Sequence, residues 1–273
     1  MNFDLDQIAE ATAEIRAAEP TAVVSAAEDA LGWLRRDTGK RFSGMDAATR
    51  YLRQRSVGAR SRVVKNTDIE LLPNERPQSR DQLNELRVAV DGAEMDFTHW
   101  SFGQLASRAK APADYLRTLP GVLVRDNLMW SLQHNREVER LKVYHDGQTL
   151  RAINGPTYGR VDDFDVLNAV RSAINTERWK PAEQHMGITA TDRTLNIFLV
   201  EEGVDIEIGK TRDGRPDIVR RGLRISNSEV GAAALKCSAF LFRSYCLNGM
   251  IFGLREDQTV KVDEEVTFDA SGS

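Results

Sequence analysis

Apolar and polar positions along the chain follow two rhythms. In the last third, Leu223-Arg224-Ile225 switches between apolar and polar at every residue, the period of a half-buried strand. Asn227-Ser228-Glu229-Val230-Gly231 follows, with short polar side chains that bond their own backbone and turn the chain. If the return run to Cys246 is extended, Ala234, Lys236, Ser238, Phe240 and Phe242 share one face, and Leu235, Cys237, Ala239, Leu241 and Arg243 the other. Residues 222–253 therefore read as a hairpin that organises the rest. Its return run is longer than the usual strand and is expected to bend or break near Ser238.

Helical spacing governs the start. Leu5, Ile8, Ala9 and Ile15 predict a helix over 3–18, ended by Glu19-Pro20 because a residue before proline leaves helical geometry. A second helix runs from Thr21 to about Leu34, and a third, short one over 45–55 carries arginines on its exposed side. Residues 60–80 are the least regular, and Leu72-Pro73-Asn74-Glu75-Arg76-Pro77 predicts a linker or long surface loop. Hairpins follow around Asp91-Gly92 (86–90 with 93–98) and Asp146-Gly147 (141–145 with 148–153), since such turns need positive backbone angles. Helices are predicted over 101–110, 112–116 and 122–135, and Asp162-Asp163 caps another through Ile174. Strands over 186–191 and 194–201 flank Asp192-Arg193, and 204–208 pairs with 218–226 across Asp213-Gly214. These elements imply an α+β fold, an antiparallel sheet built from hairpins with helices packed on one face. The expected divisions are an N-terminal helical segment (1–40), a basic helix and linker (41–84), the α+β core (85–255) and an acidic, disordered tail (256–273).

Composition narrows the setting. The 273 residues, 41% hydrophobic and 29% charged, are those of a soluble globular chain. No apolar run approaches the roughly 20 residues that cross a bilayer, and the start lacks a secretion signal. Cys237 and Cys246 make no disulfide framework. A reduced cytoplasmic protein without a membrane partner is the expectation. The net charge of −4 is unevenly spread: residues 35–65 hold ten Lys or Arg against Asp37 and Asp46. Such asymmetry points to a polyanion partner.

Catalytic signatures are weak. His99, His134, His145 and His185 have no metal-ligand spacing, so neither metal nor cofactor is expected. A nuclease site could use Asp217 and Glu229, but Gly231 stands where a lysine is wanted. Asp162, Asp163 and Asp165 open a helix, where acids face the helix dipole. Phosphate-cradling glycine loops and a nucleophile elbow are absent. The apolar surroundings of the two cysteines argue against nucleophiles. Polyanion binding remains. Arg50, Arg53, Arg55, Arg60, Arg62 and Lys65 form one candidate group. Arg220, Arg221 and Arg224 form a second, extended by Lys236 and Arg243 of the return run. Tyr158, beside Arg160, is the candidate for base stacking. The hypothesis requires the two cationic groups to stand side by side in the folded chain.

Three pieces carry a family resemblance. They are Phe102-Gly103-Gln104-Leu105 through Pro112-Ala113-Asp114-Tyr115-Leu116; Leu150-Arg151-Ala152-Ile153 through Tyr158-Gly159-Arg160-Val161; and Asn227-Ser228-Glu229-Val230-Gly231 with Cys246-Leu247-Asn248-Gly249. Over about residues 85–253 the chain resembles the phage- and plasmid-encoded family catalogued as domain of unknown function 932. The resemblance implies a mobile-element setting and a part in DNA maintenance, recombination or counter-defence. The hairpins on helices are also similar to single-strand annealing proteins. The leading expectation is a non-enzymatic protein that binds single-stranded DNA, annealing it as a homo-oligomer being the extension. The alternatives are an interaction protein that inhibits a host factor and a metal-dependent nuclease.

Overall fold

The computed structural model describes residues 30–134, 139–182, 187–243 and 251–253. The helix predicted over 3–18, most of the one from Thr21, the acidic tail, His185 and the Cys246-Leu247-Asn248-Gly249 piece lie outside them. The elements in order are β1 (Lys40–Phe42), α1 (Met45–Ser56), β2 (Arg60–Lys65), a 3-10 turn (Asn66–Asp68), β3 (Ile69–Pro73), α2 (Arg80–Leu83), β4 (Leu86–Val90) and β5 (Ala93–Phe97). Then come α3 (His99–Arg108), α4 (Ala113–Leu116), α5 (Gly121–His134), β6 (Arg140–His145), β7 (Thr149–Asn154) and α6 (Asp163–Ala173). The last are β8 (Trp179–Pro181), β9 (Ile188–Ala190), β10 (Leu195–Glu201), β11 (Ile206–Lys210), β12 (Pro216–Asn227), β13 (Lys236–Arg243) and β14 (Ile251–Gly253).

The α+β class is as expected, but the strands form two sheets. One is six-stranded, ordered β2-β6-β7-β5-β4-β3. The other is eight-stranded, ordered β1-β9-β10-β12-β13-β14, with β8 also on β10 and β11 also on β12. All described pairings are antiparallel except β5 with β7, which are parallel because α3, α4, α5 and β6 intervene. Each sheet has its own core. Phe97, Leu71, Val88, Val143 and Ile153 of the six-stranded sheet bury against Phe102, Leu105, Leu116, Val124 and Leu128 of α3–α5. Ile188, Ile197, Leu199 and Ile225 of the eight-stranded sheet bury against Ala48 and Leu52 of α1 and Val166 and Leu167 of α6. From Trp33, which buries in the first core, the chain passes to the second core at β1 and α1, builds the six-stranded sheet between α1 and α6, and returns to the second.

The turn chemistry is local and behaves as read. Asp91 (φ 51°) and Gly92 (φ 79°) take the left-handed angles a two-residue hairpin turn requires. Asp146 Oδ1 accepts from the backbone of Gln148 and Thr149, closing the second hairpin. The organising hairpin pairs Val219 with Arg243 through Ser226 with Lys236, so the return strand starts at Lys236.

Residues 60–80 correct the linker reading in part: 74–79 form the expected loop, but residues 60–73 are no linker. They supply β2 and β3, the two edge strands of the six-stranded sheet. β3 pairs residue for residue with β4, from Ile69 against Val90 to Pro73 against Leu86, so no domain boundary falls near 84. β2 is exposed along its length except near Val64, which explains its missing alternation.

Candidate nucleic-acid interface and the junction of the two sheets

The two cationic groups do not form one track. On β10 and β12 side chains alternate between faces. Leu223 and Ile225 point into the core covered by α1 and α6, while Phe198, Val200 and Phe240 bury on the opposite face. Arg224 lies over the Phe198 ring, 5.3 Å from its centre, and therefore belongs to that opposite face, as does Arg220 four residues earlier. The α1 arginines are on the other side of the sheet. Local carboxylates also pair with two members of the second group, while Arg224 and Lys236 stay exposed. Arg220 Nε reaches Asp205 at 2.7 Å, and Arg221 Nε reaches the buried Glu201 at 2.6 Å. Lys236 is exposed and stands opposite Ser226; Arg243 stands opposite Val219.

Within the first group the residues divide. Arg50 and Arg53 are exposed on α1, Arg60 and Lys65 are exposed on β2, and among the described residues none of the four side chains pairs with a carboxylate. Arg62, also exposed, pairs with Asp91. Arg55 is withdrawn from the phosphate-binding set. It is turned inward, with Nη2 2.7 Å from Glu229 and 3.2 Å from Asp163, and Nη1 donating to the Thr191 carbonyl at 2.8 Å. Tyr158 is no open stacking platform: half-buried, it donates its hydroxyl to the Ser228 carbonyl at 3.2 Å. Arg160 pairs with Asp162 at 3.0 Å and covers the Tyr144 ring at 4.0 Å.

What Arg55 joins is the meeting point of the two sheets, built around the Asn227–Gly231 turn. Asn227 Nδ2 donates to the Val161 carbonyl (2.9 Å) and to Asp163 Oδ1 (2.7 Å), seating the start of α6. Ser228 Oγ donates to the Arg193 carbonyl at 2.6 Å, which fixes the β9–β10 turn. Glu229 holds Arg55 from α1 and Arg151 from β7, and its Oε2 accepts the Asp163 backbone N–H at the start of α6. The Val230 carbonyl accepts from Trp100 Nε1 (3.1 Å) and Gln104 Nε2 (2.9 Å), both on α3. Gly231 has φ +84°, and a Cβ there would lie 2.9 Å from Asn154 Oδ1, so both the turn and the close approach call for glycine. Gln104 completes the seam by accepting from Ile153 N and donating to Asn154 Oδ1. The three pieces on which the family resemblance rests converge here: Gln104 from the first, Arg151 and Tyr158 from the second, Asn227 to Gly231 from the third.

The electrostatics are those of a structural joint. Two guanidiniums meet two carboxylates, so the buried set is close to neutral. Burial and the neighbouring Glu229 push Asp163 up, to about 7, although Arg55 opposes this. Burial also acts to raise Glu229, but Arg151 and Arg55 outweigh it and hold that carboxyl below its ordinary value. Burial pushes the Tyr144 phenol up to about 12, with Arg151 opposing. The acid at the start of α6 is used differently from the sequence reading. Asp162 makes no side-chain capping bond, and the cap comes from Glu229, 66 positions away.

The nuclease alternative is overturned by distance. Asp217 lies at one end of β12 and Glu229 two residues past the other, and the ten strand steps from Asp217 to Asn227, at about 3.3 Å each, already span roughly 33 Å. Among the described residues no group of three or more His, Cys, Asp or Glu could hold a metal. Cys237 is exposed, but its partial burial still pushes the thiol up in the expected direction, and Cys246 lies outside the described residues.

Sequence reading does not single out Arg151, Gln104 or Asn227 as partners of one joint. It also misses Arg36, Arg108, Arg117 and Arg193, which line a common cleft beside it. The last three stand in no local charge run, so nothing nearby in the sequence marks them. Comparison with protein-family models, with curated proteins and with solved structures finds no match for the chain. No helix among the described residues is long and apolar enough to cross a membrane.

Proposed function

The side-by-side track required of the two cationic groups is not formed, and we propose that this protein instead binds nucleic acid, single-stranded DNA being the favoured form, through phosphate contacts of the α1 and β2 cations alone and without catalysis. What supports the reading is one observation. Arg50 and Arg53 on α1, with Arg60 and Lys65 on the next element β2, face solvent, and among the described residues none of the four side chains pairs with a carboxylate. Unpaired cations of this kind displace counterions from a phosphate chain. The edge position of β2 gives Arg60 and Lys65 a second use, since cations there discourage strand-to-strand aggregation. Arg50 and Arg53 have no such use and carry the proposal. The phage or plasmid setting, and annealing of strands as an oligomer, rest on the family resemblance alone.

A salt titration of oligonucleotide binding tests it. Four phosphate contacts to a single strand give a slope of log K against log salt of about −3, a loss of roughly 50-fold between about 50 and 200 mM. Arg50→Glu with Arg53→Glu should weaken binding and flatten that slope by about half. Binding unchanged in this doubly substituted protein, or no binding to wild type at low salt, removes the proposal.

A further inference from the structure

The outer side of α5 carries apolar groups where a surface helix ordinarily keeps polar ones. Val124, Leu128 and Leu132 face the core, and Leu123 and Trp130, about two helical turns apart, stand on the opposite side. They are 52% and 65% exposed. The Trp130 ring is held in place: it stacks on His134 with ring centres 4.4 Å apart, and His134 Nδ1 donates to the Trp130 carbonyl at 2.7 Å. Single exposed apolar residues are common on protein surfaces. Two on one line of a helix, one of them a fixed indole, make a seam that a second amphipathic helix can cover.

The described chain begins at one end of that seam. The Ala30 carbonyl accepts from Leu86 N at 3.5 Å, and Trp33 Nε1 donates to the Asn84 carbonyl at 2.9 Å. Glu85, between those two partners, abuts the first residue of α5, where a Cβ on Gly121 would lie 2.6 Å from the Glu85 carbonyl oxygen. Leu83, exposed at the end of α2, adds an apolar group next to Asn84. Residues 1–29 therefore join the core beside the start of α5.

Their sequence suits the seam. Leu5, Ile8, Ala9 and Ile15 predict an amphipathic helix over 3–18, about 24 Å long against about 21 Å for the 14 residues of α5. Residues 19–29 can reach up to about 36 Å when extended, which allows that helix to lie along α5 in either direction. Charge agrees with the pattern. Residues 1–29 hold seven acids against Arg16. Arg125 of α5 pairs with Glu75 at 2.7 Å, which brings the 74–79 loop alongside the helix, and the same guanidinium also takes Asp126. Arg76 in that loop and Arg80 just after it are exposed, and among the described residues neither side chain pairs with a carboxylate.

We infer that residues 3–18 dock along the outer side of α5, with Leu5, Ile8 and Ile15 over Leu123 and Trp130 and with their acids toward Arg76 and Arg80. The contact is made within one chain. It uses none of the α1 and β2 cations and does not depend on the nucleic-acid reading.

Arg16 is the one tryptic site between Met1 and Leu34, so limited trypsin digestion of the full chain with mass spectrometry reads whether the segment is held. A docked site is cut only from its open state. Leu123→Asp and, separately, Trp130→Ser should each speed cleavage at Arg16 about tenfold or more, the loss of one apolar anchor. Ile8→Asp, on the opposing side, should do the same, whereas Val57→Asp, exposed just past the end of α1, should leave the rate unchanged. Circular dichroism melts check that each variant is folded. Equal rates in wild type and the two α5 variants, or in wild type and Ile8→Asp, overturn the inference. Light scattering tests the other protein occupant: a wild-type dimer that Leu123→Asp converts to a monomer assigns the seam to a second copy and overturns it as well. Oligonucleotide binding should be the same in wild type and the α5 variants. A loss of that binding in Trp130→Ser with cleavage at Arg16 unchanged assigns the ring to a stacked base instead.

Discussion

Replacing Glu229 with glutamine should unseat the joint while keeping its shape. The Glu229 side chain is 4% exposed, and its partners Arg55 and Arg151 are 12% and 5% exposed, so water cannot take over the lost charge. After substitution two buried guanidiniums face one carboxylate, that of Asp163, which burial already disposes toward its neutral form. Removing one partner of a buried ion pair costs about 3–5 kcal/mol. At about 2–4 °C per kcal/mol for a chain of this size, the thermal midpoint should fall by roughly 6–20 °C. Circular dichroism melts and urea titrations at pH 7 measure it. A companion protein, Glu229→Leu with Arg151→Met, leaves Arg55 facing Asp163 alone and should recover more than half of the loss. A midpoint for Glu229→Gln within about 2 °C of wild type would refute the reasoning, because Glu229 could not then be the dry bridge between the sheets.

Gly222→Ala should destabilise by about 1–3 kcal/mol in urea titration, since its Cβ would fall 2.3 Å from a buried Phe240 ring atom; an unchanged midpoint would mean the ring is free to move away. His99 gives a pH signature. Burial, then Arg117, Arg36 and Arg193, lower its pKa from 6.5 to about 4, with Asp114 opposing. The unfolded chain thus takes up a proton that the folded chain refuses, so this contribution to stability is present above 6.5 and is lost as pH falls toward 4. Compared with wild type, His99→Gln should lose less stability in urea titrations between pH 7 and 4.5, and parallel curves would contradict the assignment.

Local chemistry alone determined a good part of this protein. Asp91-Gly92 and Asp146-Gly147 mark their hairpins because turn angles depend on the residues that adopt them. The stripes of α3 and α6 mark their buried faces because the helical period is a property of consecutive residues. The α+β class follows from the order of those elements. The edge strands β2 and β3 were not legible in the same way. An edge strand is made by the partner it pairs with, here β6 and β4, more than by its own alternation.

The fate of the cations was decided only in three dimensions. Arg53 and Arg55 are two residues apart in one run, but the helix turns about 200° between them. One faces water, and the other is claimed by Glu229, 174 positions away. No local count of charges can show that pairing. The same holds for Arg220 and Arg224, whose face is set by strand register and by the helices that cover the other side. The cleft takes its arginines from positions 36, 108, 117 and 193, brought together by the packing of two sheets. Sequence determines which charges exist and which turns can form, because both are properties of neighbouring residues. Which charges remain unpaired is a property of contacts between distant ones, and only the folded chain decides it.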